Sequence, residues 1–175
     1  LAKDEYTYGV GISTGMVMKG LTLELTFTYP VSEAKEQEIT SYVKATAAKI
    51  FNDNMTDFQK VRAAYEYIIT NTNYSIAPEE DGGGHSIYSI VKDGIGVCQA
   101  YALLFHRLME EEGITSKYIV GTSTQLDTAG KPINHAWNVV TLNGKTYHID
   151  VTYGDPVFQE YVANSKVVDE EIVMV

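Results

Sequence analysis

Three side chains in this 175-residue sequence could share one piece of chemistry. Cys98, the sole cysteine, stands in Gly94-Ile95-Gly96-Val97-Cys98-Gln99-Ala100-Tyr101, where a glycine-rich turn runs into an apolar helical stretch. His135 follows 37 residues later in Asn134-His135-Ala136-Trp137-Asn138, and Asp150 comes 15 beyond that in His148-Ile149-Asp150-Val151-Thr152. A sulfur in the first turn of a helix meets free backbone N–H groups and the positive end of the helix dipole, which favour a thiolate over a thiol. An imidazole can draw the thiol proton, and a carboxylate can orient the imidazole. Free cysteine is also an ordinary small core residue. Its place after two glycines at a helix start, with a compatible His/Asp pair downstream, sets this one apart.

The elements that must position these groups can be read from periodicity. Leu21, Leu23, Leu25 and Phe27 alternate with Thr22, Glu24, Thr26 and Thr28, which predicts a half-buried strand. Ser32 opens a helix whose apolar positions are Ile39, Val43, Ala47 and Ile50. Thr56-Asp57-Phe58-Gln59 is a capping box, and Val61, Ala64, Tyr65, Ile68 and Ile69 form the stripe of the helix it starts. Residues 75–85, with Gly82-Gly83-Gly84, read as a loop, followed by a short helix over 86–91. The cysteine helix runs from about Val97 to Glu112 and stops at Gly113; it is apolar nearly all round, so it is predicted to be buried.

Strands are predicted over 117–121, 135–142 and 145–151, with Asn143-Gly144 as a two-residue hairpin loop. Pairing Leu142 with Lys145 places Trp137 opposite Asp150 and His135 opposite Thr152. His135 and Asp150 then project from one face as diagonal neighbours, within reach of each other. Val140, Tyr147, Ile149 and Val151 make the core face. His148 shares the polar face with Asp150. His148, His106 within the cysteine helix, and His85 after the triple glycine are each read as structural.

Thirteen basic residues against 23 acidic ones give a net charge of −10. Such a chain repels phosphate backbones, so a nucleic-acid partner is not expected. No membrane-length apolar run is present. The chain starts at Leu1, which reads as a processed or truncated piece, and an extracytoplasmic or cell-surface setting is expected from that. Helices first and an antiparallel sheet after them indicate an α+β class.

Three separated blocks resemble the transglutaminase-like superfamily: Gly96-Val97-Cys98-Gln99-Ala100-Tyr101-Ala102 with Leu108 and Gly113-Ile114, then His135-Ala136-Trp137-Asn138-Val139, then Tyr147-His148-Ile149-Asp150-Val151-Thr152-Tyr153-Gly154-Asp155-Pro156. The match covers about residues 56–156. The resemblance implies a papain-like core with the nucleophile at the start of a central helix packed on an antiparallel sheet. It implies Cys98 as nucleophile, His135 as base and Asp150 as orienter. Ala100 stands where the family usually has glycine, and Tyr153 where it often has tryptophan. Residues 1–55 read as an N-terminal extension of strand plus helix, and 56–175 as the catalytic core.

The expected activity is acyl transfer on peptide or amide bonds of a protein or peptide substrate, by hydrolysis and without a cofactor. The alternatives are amine transfer to protein glutamine, or a non-catalytic binding module on the same fold. Tyr88, Gln99 and Trp137 are candidates for substrate or oxyanion contacts. A metal site built from Cys98, His135, His148 and Asp150 lacks any close ligand pair and is not expected.

Overall fold

The computed structural model describes residues 13–20, 22–28, 31–75, 83–127 and 129–155. In chain order its elements are β1 (Ser13–Lys19), β2 (Thr22–Thr28), α1 (Glu33–Ile50), α2 (Asp57–Asn71), β3 (Asn73–Tyr74), α3 (Ile87–Asp93), β4 (Ile95–Gly96), α4 (Cys98–Glu111), β5 (Ser116–Leu126), β6 (Pro132–Leu142) and β7 (Lys145–Ile149). The helix starts follow their local chemistry. Ser32 accepts from the Lys35 N–H ahead of α1, and Thr56 and Gln59 form the reciprocal capping box of α2. Gly94, at φ +68°, closes α3 in a left-handed conformation that a side chain would strain.

Helix α4 is the centre of the molecule. Every residue from Ala100 to Met109 is buried, as its all-round apolar pattern predicts. Against it lie Ile39, Val43 and Ala47 of α1, Val61, Ala64 and Ile68 of α2, Ile87 and Ile90 of α3, and Val140 and Leu142 of β6. Helix α1 thus contributes to the same core as the elements after residue 56. Burying each of these large aliphatic side chains is worth about 1.5–3 kcal/mol. Arg107, buried at the far side of α4, pairs with Glu36 at 2.7 Å and donates to Thr40 at 2.9 Å, tying α1 down.

Strands β5, β6 and β7 form an antiparallel sheet in that order. Asn143 (φ 50°) and Gly144 (φ 74°) make the two-residue loop, and Leu142 pairs with Lys145. Along β6, Ala136, Asn138, Val140 and Leu142 are buried while His135, Trp137 and Val139 are half-buried. The architecture is α+β, with the cysteine-bearing helix on an antiparallel sheet.

Several expectations need correction. Strands β5 and β6 are longer than read, and β7 is shorter. The β6–β7 ladder ends at Asn138 opposite Ile149, so Trp137–Asp150 and His135–Thr152 do not pair. The chain turns there because its N–H groups find local acceptors: Tyr153 N donates to Asp150 Oδ1, Gly154 N to Val151 O and Asp155 N to Thr152 O. Strand β1 was not anticipated; it pairs antiparallel with β2. The burial expected for Leu21, Leu23, Leu25 and Phe27 lies outside the described residues, as does most of the glycine-rich loop. A short parallel bridge, β3 to β4, was also unforeseen and holds the end of α2 against the turn before Cys98. Among the described residues no helix is long and apolar enough to cross a membrane.

Candidate active site

Cys98 is the first residue of α4. Its approach is fixed by backbone bonds on both sides: Val97 N donates to Gly84 O, Ser75 N to Gly96 O and Asn73 N to Gly94 O. No side chain caps the helix at Val97. The first-turn N–H groups therefore stay available to whatever approaches the sulfur. Gly96 is needed here, because a Cβ would sit 3.0 Å from the Cβ of Ala100 and 3.2 Å from Ile90.

His135, on β6, donates from Nε2 to Asp150 Oδ2 at 2.6 Å. Cys98 lies close enough to the ring to add to the pull of Asp150 on its proton. Burial of the ring opposes a positive charge, but the hydrogen bonds to Asp150 and to Cys98, and the negative charge of both, outweigh it. The imidazole pKa is raised from 6.5 to about 9. Asp150 is held in turn by the Tyr153 N–H at 3.3 Å. Cys98, His135 and Asp150 thus meet, in the order sulfur, imidazole, carboxylate.

Aromatic rings enclose the imidazole. Trp137 stacks on it at 6.0 Å and 17°, and Tyr153 meets it edge-on at 5.0 Å. Gly121, paired with His135 across β5–β6, makes room for the indole: a Cβ there would lie 2.8 Å from Trp137 Cη2. Trp137 Nε1 donates to His148 Nδ1 at 3.0 Å, which gives His148 a structural partner outside the triad.

Gln99 follows the cysteine and its Oε1 lies 3.1 Å from His85 Nδ1. An amide oxygen only accepts, so His85 Nδ1 is the donor. Tyr88 lies against α1, with Lys35 Nζ 4.5 Å from its ring centre, and packs on the core. His106 is buried in α4, and burial holds its pKa below the usual histidine value despite Glu110.

Sequence reading missed three groups that shape this region. Tyr101 donates to Asp155, both fully buried, which anchors the turn after Asp150 to α4. Tyr65 of α2 presses against the same turn: a Cβ on Gly154 would fall 1.6 Å from its hydroxyl. Tyr118 of β5 feels the charge of Cys98. The tyrosine-rich composition hints at such groups without saying which of the 13 tyrosines they are. Among the described residues no group of three or more His, Cys, Asp or Glu could hold a metal ion.

The chain is similar to several known proteins. Kyphoscoliosis peptidase of Mus musculus is 26% identical over 161 residues, covering 87% of this chain and 24% of that protein. Proansamycin X synthase of Amycolatopsis mediterranei is 33% identical over 86 residues, covering 49% of this chain and 33% of that protein. The chain spans a third or less of the curated relatives it matches. Among solved structures, a protein from Cytophaga hutchinsonii provisionally assigned as a cysteine protease superposes with a TM-score of 0.53 at 20% identity, over 73% of this chain and 45% of that one. The periplasmic domain of TgpA from Pseudomonas aeruginosa does so at 0.52 and 15% identity, over 81% and 58%. These likenesses establish a shared fold. The family profile of the transglutaminase-like superfamily matches residues 44–151, more than half of the chain, so the chain belongs to that superfamily.

Proposed function

We propose that Cys98, His135 and Asp150 act as a nucleophile–base–orienter triad and that the chain hydrolyses peptide or amide bonds. The observation that carries this reading is the His135–Asp150 hydrogen bond of 2.6 Å on a ring whose proton is also held by the nearby Cys98. An imidazole raised to about 9 holds its proton at neutral pH, and in the proposed mechanism the attacking form of Cys98 is the thiolate. The sulfur attacks the substrate carbonyl carbon; a C–S bond forms and the C=O electron pair moves to oxygen. Collapse expels the amine, which takes the proton from His135, and leaves a thioester. Water, giving a proton to His135, then attacks the thioester carbonyl; the C–S bond breaks, the acid is released, and the thiolate beside a protonated His135 is restored. Asp150 keeps the ring in one tautomer and stabilises its charge through both steps. The Cys98 N–H donates to the oxyanion.

A superfamily that includes cysteine proteases and transglutaminases accommodates either water or an amine as acceptor. Hydrolysis asks only that water reach the thioester, and the half-buried Cys98 allows that. The test is the rate of Cys98 alkylation by iodoacetamide against pH, in the wild type and in His135→Ala. The wild type is expected to react well below the pH at which an ordinary thiol does, and His135→Ala to lose that advantage. Identical titration of the two proteins as ordinary thiols ends the proposal. A peptide-library digest with and without an added primary amine then distinguishes cleavage from transfer.

A further inference from the structure

The geometry points to Tyr118 as the second oxyanion donor of this site, its phenolic O–H acting beside the Cys98 N–H. This rests on the acyl-transfer reading above and names a residue that the reading leaves open. Tyr118 sits on β5 directly opposite Asn138 of β6. Residues opposite each other on a ladder project from the same face. Asn138 is fully buried, and its Nδ2 donates to Ala102 O, one turn along α4 from Cys98. The Tyr118 ring therefore lies on the face of the sheet that packs on α4, where it is half-buried against the core and near enough to Cys98 to feel its charge.

Two forces act on its hydroxyl, burial first and the charge of Cys98 second; they raise its pKa from 10.0 to about 12. No hydrogen bond is among those forces. The phenol thus keeps its proton throughout a reaction near neutrality, and that proton has no protein acceptor to compete for it among the described residues. As the sulfur attacks, the C=O pair moves onto oxygen, and the phenol and the Cys98 N–H donate to it. On collapse the pair returns to the carbonyl, the leaving group departs, and Tyr118 ends as it began, protonated.

Two thiol reagents separate this role from a structural one. p-Nitrophenyl acetate acylates a thiol through a tetrahedral oxyanion and releases p-nitrophenolate; iodoacetamide alkylates the same sulfur by displacement of iodide, with no oxyanion. Tyr118→Phe keeps the ring and removes only the hydroxyl. It is expected to slow acylation by p-nitrophenyl acetate about 100-fold while leaving alkylation within about threefold of wild type. Equal slowing of both reactions would mean that the hydroxyl supports the thiolate or the fold, and overturns the assignment. So does acylation at the wild-type rate. Acylation that persists in Cys98→Ala refutes the triad itself, and the role of Tyr118 with it. Acylation that needs Cys98 but ignores Tyr118→Phe removes this inference alone.

Discussion

Replacing Asp150 by asparagine keeps the size of the side chain and removes its charge. The effect on His135 can be worked from the site. The raised value, about 9 against 6.5, corresponds to about 3 kcal/mol favouring the protonated ring. Hydrogen bonding to Asp150 is the largest favourable contribution, and the charge of Asp150 adds to it. Burial works the other way and remains after the substitution. Asp150→Asn should therefore lower the His135 pKa by more than about one pH unit. The assay is a proton NMR titration of the His135 ring. The sign for stability follows from linkage. A histidine raised in the folded state contributes stability that is fully present below about pH 6.5 and is lost as pH climbs through about 9. Thermal melts of the wild type should fall across that window, and those of Asp150→Asn should fall less. A His135 midpoint that is the same in both proteins would refute the electrostatic account of the site.

Two further substitutions test its walls. Gly121→Ala puts a methyl 2.8 Å from Trp137 Cη2 and must push the indole off His135; Trp137 is the sole tryptophan, so its fluorescence emission should shift to the red as it enters water. An unchanged spectrum would show that the ring has room to spare. Tyr101→Phe removes a donor from the fully buried Asp155 carboxylate and should cost about 1–3 kcal/mol, read as a drop in the chemical-denaturation midpoint; a cost near zero would mean that the turn after Asp150 does not depend on this tether.

The Leu142–Lys145 pairing was legible in the sequence because one loop of known geometry, Asn143-Gly144, sets the parity of both flanking strands, and the contact of His135 with Asp150 occurs although the pairing expected to carry it does not extend that far. The count failed only past Ile149, where turn hydrogen bonds outcompete the ladder. Helix starts were legible for a similar reason, since Ser32 and Thr56 act on N–H groups three residues away. Tyr118 was not legible. Its position against α4 depends on the β5–β6 register, which shifts between Thr122 and Leu126 in a connection with no short turn signature. Tyr65 and Gly154 were illegible because the contact joins residues 89 apart in sequence, and packing between a helix and a distant turn leaves no periodic trace.

The hairpin has one more implication. His135 lies on β6 and Asp150 directly follows β7, two strands joined by a two-residue loop, so base and carboxylate can find each other through local chain closure, whereas the sulfur arrives from a separate helix. A molecule that loosens between α4 and the sheet would retain an imidazole–carboxylate couple with nothing to activate. Reactivity of the thiol is in that sense a readout of long-range assembly, and a chain caught half-made would carry an ordinary sulfhydryl.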